Sequence, residues 1–99
     1  MGKRTPEGKV KEKVKVVLHS LGAYYAMPVT GGYGSSGVPD FLVCFAGKFI
    51  AIECKANGGK PTALQMMNLD KIRDCYGYVF VIDKTNVGNL TQYLLELIK

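Results

Sequence analysis

The chain has 99 residues, 47% hydrophobic and 21% charged, which suits one small domain over 1–99 with a modest core and excludes a disordered polymer. No apolar run reaches the roughly 18–20 residues of a membrane span, and no secretory leader pattern opens the chain. A net charge of +5 fits a polyanionic partner, and three cysteines without C-x-x-C spacing argue for reduced thiols in a cytosol, against a disulfide frame or zinc site.

Thr5-Pro6-Glu7 reads as a helix start, with a capping hydroxyl, a proline in the first turn and an acid at the positive end of the dipole. Val10, Val14, Val17, Leu18 and Leu21 then recur at helical spacing until Gly22. Residues 23–29 (AYYAMPV) predict a strand ended by Pro28, and TGGYGSSG, 30–37, a glycine-rich loop. This loop lacks the closing Gly-Lys-Ser/Thr of a nucleotide-binding P-loop. Two apolar strands follow over about 38–45 and 48–54, then a loop over 56–61. A helix over 62–75 carries Leu64, Met67, the stem of Lys71, Ile72 and Cys75 as its stripe. Residues 77–83 (GYVFVID) predict a strand covered on both faces, and 87–98 a last helix with Leu90, Leu94 and Leu97 inward. The order is α-β-β-β-α-β-α, an α/β chain.

The chemistry concentrates in GVPDFLV and FIAIECK, that is, in Asp40, Glu53 and Lys55. Strand side chains alternate faces, so Glu53 and Lys55 share a face. A turn at Gly47-Lys48 pairs Asp40 with Lys55, and one at Ala46-Gly47 pairs Asp40 with Glu53. Either keeps all three together, whereas a three-residue loop without a bulge sets Asp40 against Cys54 on the wrong side. Two carboxylates in otherwise apolar strands are costly to bury without a cation, and Mg²⁺ takes one or two carboxylates plus other oxygens. The Cys54 carbonyl lies between them as a further ligand. The bland alternative is a pair of strand-end acids in water with Lys55 in a salt bridge.

GVPD…IECK, preceded by a helix carrying a glutamate and followed by GGKPTALQ, resembles the PD-(D/E)XK nuclease superfamily and, within it, the stand-alone VRR-NUC domains. The resemblance runs from about Glu7 to Asp83 and includes YGSSGVPD. It implies a restriction-endonuclease-like core, a mixed sheet flanked by helices. It also implies a Mg²⁺- or Mn²⁺-dependent endodeoxyribonuclease of a bacterial or phage-infected cell, acting as a homodimer on four-way (Holliday) junctions. Asp40 and Glu53 would bind metal, Lys55 would assist the attacking water, and Gln65 would position water or phosphate.

The family's helical glutamate has two candidates. At about 100° per residue, Val14, Leu18 and Leu21 fall within roughly 40° of Glu7, whereas Glu12 falls about 140° away among the lysines, so Glu7 is chosen. Gln65 also completes a capping box with Thr62, and Thr62 itself reads as structural. Tyr33, Ser35, Ser36, Lys48 and Lys60 are the candidate DNA contacts. Lys9, Lys11, Lys13 and Lys15 read as a solvated helix face on which, at net +5, some phosphate contact is reasonable, and His19 as surface. A rival reading, a non-catalytic basic DNA-binding module, is opposed by three competent catalytic positions. A third is a nuclease for flap, linear or single-stranded DNA.

Overall fold

Thr5 starts the first helix as the sequence predicts. Its extended backbone lets Oγ1 accept from the Gly8 N–H at 2.9 Å, while Pro6 has no amide to leave unpaired. In the computed structural model, which describes residues 5–29 and 37–99, α1 spans Pro6–Ser20. Gly22, at φ 69°, ends it: the Gly22 N–H donates to His19 O and the Ala23 N–H to Leu18 O. Then follow β1 (Tyr24–Ala26), β2 (Phe41–Phe45), β3 (Lys48–Cys54), α2 (Ala63–Asp74), β4 (Tyr78–Ile82), a 3-10 turn (Val87–Asn89) and α3 (Leu90–Glu96). No helix among the described residues is long and apolar enough to cross a membrane.

The sheet order is β1-β2-β3-β4. β1, β2 and β3 pair antiparallel, and β4 lies parallel to β3 after the α2 crossover, giving a mixed sheet. On one face Phe41, Val43, Ile50, Ile52 and Cys54 pack with Val10, Val14 and Leu18 of α1 and Leu90 and Leu94 of α3. The alternate residues of β3 face α2. Phe49 lies beside the Ile72–Gly77 end of that helix, and Ala51 and Glu53 are fully buried. Tyr25 meets Phe41 with ring centroids 5.6 Å apart.

Four expectations change. β1 is three residues long, because Met27–Val29 leave the ladder before Pro28 can interrupt it. β4, at the edge of the sheet, is only partly covered: Tyr78 is exposed, Val79, Phe80 and Val81 are half-buried and Ile82 alone is buried. In α2, Met67 and Cys75 are exposed and Leu69 is the buried residue. The inward face holds Gln65 and Asn68 at its first turns, and two polar residues there hide the stripe from an apolar count. The last helix begins as a 3-10 turn, with α geometry only from Leu90.

The β2–β3 turn decides the site. Ala46 and Gly47 have φ 52° and 79°, the paired positive values of a type I′ turn, whose twist suits a two-residue hairpin. Phe45 pairs with Lys48 and Phe41 with Ile52, so the next step sets Asp40 opposite Glu53. This is the even loop that the site requires.

Candidate active site

Asp40 ends the 37–40 approach to β2. Its Oδ2 accepts from the Cys54 N–H at 2.7 Å, replacing a ladder bond that β2 no longer supplies. The Cys54 carbonyl projects to the same side, and the register opposes it to Pro39, whose nitrogen has no hydrogen to donate. Gly37 holds this approach against α2: at φ 69°, a Cβ there would sit 2.7 Å from the Leu64 side chain and carbonyl. Only glycine tolerates both the dihedral and the gap.

Glu53 is 1% exposed. Its Oε2 lies 3.5 Å from Lys55 Nζ, and its Oε1 is buried with no hydrogen-bond partner among the described residues. Burial, reinforced by the Asp40 charge and only partly offset by Lys55, raises its carboxyl to about 7. Lys55 Nζ donates to Gln65 Oε1 at 2.7 Å, and that oxygen also accepts the Thr62 N–H at 2.8 Å. Thr62 Oγ1 accepts from the Gln65 N–H at 3.2 Å, so the capping box forms and also fixes the lysine. Burial and the Asp40 charge push the Cys54 thiol up, leaving it an inert core sulfur on the α1 side.

The α1 side adds a cation. Lys11 Nζ lies 3.4 Å from Asp40 Oδ1 and 3.8 Å from Glu7 Oε2. Burial lowers its affinity for a proton, but Asp40 and then Glu7 outweigh this and hold the ammonium above its ordinary range. Glu12 is turned away in an exposed pair with Lys15.

Two carboxylates, one of them with an oxygen that has no partner among the described residues, and the Cys54 carbonyl form a set of hard oxygen donors. No group of three or more His, Cys, Asp or Glu side chains converges among the described residues. The set therefore fits an ion such as Mg²⁺ or Mn²⁺, which completes its shell with water or phosphate oxygens, and does not fit a closed zinc cage.

No family model matches the chain. A phage protein named "Putative nuclease p44", from Acyrthosiphon pisum secondary endosymbiont phage 1, is 38% identical over 58 residues, covering 58% of this chain and 62% of that protein. The matched segment thus spans less than two thirds of that relative. A solved structure described as a VRR_NUC domain superposes with a TM-score of 0.73 at 27% identity, over 89% of this chain and 96% of that one. The chain has the fold of a VRR-NUC domain.

On this VRR-NUC-like fold Asp40, Glu53, Lys55, Gln65 and the Cys54 backbone lie together, and Glu7 joins them through Lys11. Lys60 is exposed in the β3–α2 loop, two residues before the Thr62 cap. Lys48 does not flank the carboxylates: it opens β3, five residues and roughly 17 Å along the strand from Glu53. Tyr33, Ser35 and Ser36 lie outside the described residues. Lys11 is a site residue that sequence reasoning missed. It is one turn beyond Glu7, on the face chosen for Glu7, and that i,i+4 spacing was the available signal.

Proposed function

We propose that this VRR-NUC domain is a metal-dependent endodeoxyribonuclease that hydrolyses DNA phosphodiesters. The observation that carries the reading is the buried Glu53 carboxylate, with one oxygen unpartnered, opposite Asp40 and beside Lys55 on a single hairpin face. Asp40 and Glu53 with the Cys54 carbonyl would hold one Mg²⁺ or Mn²⁺, which when bound would polarise a phosphoryl oxygen and acidify a water. Lys55, held by Gln65 Oε1, presents its ammonium where negative charge accumulates as a phosphodiester is attacked, and so orients the water or steadies the phosphate. Glu7 completes the acidic rim through Lys11. The names of the phage relative and of the superposed structure support nuclease chemistry.

The preferred substrate in this reading is branched DNA, with a homodimer making paired cuts at a four-way junction. Leu95 and Ile98, 42% and 43% exposed at the end of the chain, support pairing through α3. Cleavage assays on four-way, flap and linear DNA with Mg²⁺ or Mn²⁺ test substrate and activity together. Asp40→Asn and Lys55→Ala should each lower cleavage by at least about 100-fold while DNA binding persists. Undiminished cutting by either variant would sink the assignment. A monomer by sedimentation, with and without junction DNA, would remove the paired-cut version alone.

A further inference from the structure

Six of the described lysines have no acidic partner: Lys9, Lys13, Lys48, Lys60, Lys71 and Lys84. Three of them line one hollow of about 420 Å³, between the first turns of α1 and the segments that follow β3 and β4. Lys9 and Lys13, about 6 Å apart along the helix, contribute from α1, and Lys84 and Asn57 from the facing segments. A second hollow of about 430 Å³ shares Lys13 and Lys84 and continues toward Gly88. The two form one groove. It begins beside the proposed active site, because Asn57 lies two residues after Lys55 and Pro6 directly precedes Glu7.

The acids near this groove are already engaged. Asp83 Oδ1 accepts from the Thr85 hydroxyl and from the Thr85 N–H at 2.8 Å, which with the backbone N–H groups of Gly58 and Asn86 holds its carboxyl below the usual range. Glu12 Oε2 pairs with Lys15 at 3.1 Å. Asp83 therefore does not neutralise Lys84, nor Glu12 Lys13. Three exposed ammoniums with no counter-charge, strung along a groove that starts at two carboxylates, are arranged for a polyanion that passes over the site and extends beyond it. A small anion would need only one such position.

We infer that this groove binds the DNA backbone on the α1–β4 side of the site, with Lys9, Lys13 and Lys84 each facing a phosphate next to the scissile one and Asn57 donating to a phosphate or sugar oxygen. The inference rests on the nuclease reading for its choice of polyanion. It uses lysines that helical phase alone assigns to solvent. Phosphate contacts of this kind position the strand and carry no base preference.

The test compares the whole chain with Lys9→Gln/Lys13→Gln/Lys84→Gln by anisotropy on labelled four-way DNA, metal-free, over a salt series. Each duplex phosphate that a lysine ceases to neutralise reduces the steepness of log K against log salt by about 0.9. The triple variant should therefore bind at least tenfold more weakly, with a slope shallower by about 2–3 and an unchanged thermal midpoint. A control, Lys48→Gln/Lys71→Gln, should stay within about twofold of wild type, since neither residue lines the groove. Wild-type affinity and slope in the triple variant, or an equal weakening in the control, overturns the groove. The single variants Lys13→Gln and Lys84→Gln decide the matter if the triple variant is unstable. Cleavage with Mg²⁺ or Mn²⁺ is read separately. A wild type that binds through the groove and cuts no DNA overturns the nuclease reading, while the groove stands.

Discussion

At Glu53 two requirements conflict. The strand must be apolar to fill the space under α2, yet the position holds a carboxylate with one oxygen unpaired. Its carboxyl is raised from 4.5 to about 7, so in the metal-free protein the folded state binds the proton more tightly than the unfolded state does. That contribution to stability is complete below about pH 4.5 and disappears as pH rises through about 7. In EDTA, urea unfolding should show the wild type losing on the order of 3 kcal/mol between about pH 5 and pH 8, relative to Glu53→Gln. The Gln variant should be the more stable protein at pH 8 while cutting no DNA. Equal pH dependence in the two would show that Glu53 is not perturbed. That Asp40, Glu53, Lys55 and Gln65 come together was legible in the sequence because each sits in a short motif with fixed spacing. Lys11 was not, because a lysine among alternating lysines looks solvated until a carboxylate from a strand arrives beside it.

Two turns show how the elements hold the site. Ala46 adopts φ 52° without being glycine or asparagine, at a local cost of about 1 kcal/mol. Ala46→Asn, in the order Asn-Gly that type I′ turns prefer, should raise stability by roughly 0.5–1 kcal/mol in chemical denaturation and leave activity unchanged. At Gly37 the constraint runs the other way. Gly37→Ala would drive a methyl into Leu64 and Asn68 at φ 69°, so it should destabilise by at least about 2 kcal/mol and displace Asp40. A normal melting curve for Gly37→Ala would refute that packing. The hairpin could be read in advance because its parity follows from the even spacing of apolar residues around one glycine. The α2 stripe could not, since the helix spends its inward first turns on Gln65, which holds Lys55, and Asn68, which lies against Gly37. β4 misled for a related reason: an apolar run of five residues does not reveal how much of each face its neighbours cover.

At the scale of the molecule, the charges near the site come from α1, the approach to β2, the end of β3 and the start of α2. A divalent ion between Asp40 and Glu53 competes with the proton on Glu53, so added Mg²⁺ should raise the thermal midpoint more at about pH 8 than at about pH 5. A Mg²⁺ effect that is equal at the two pH values, or larger at the lower one, would count against Glu53 as a ligand. The order of assembly has a further consequence. Closing the β2–β3 hairpin brings Asp40 and Glu53 together with Lys55, which directly follows β3, whereas Lys11 and the Gln65 clamp on Lys55 come from α1 and α2. The full set of charges therefore exists only when the hairpin and both helices are in place. Under the proposed function, the ability to cut arises only with the finished fold, so newly made or damaged copies of the protein pose no hazard to the DNA around them.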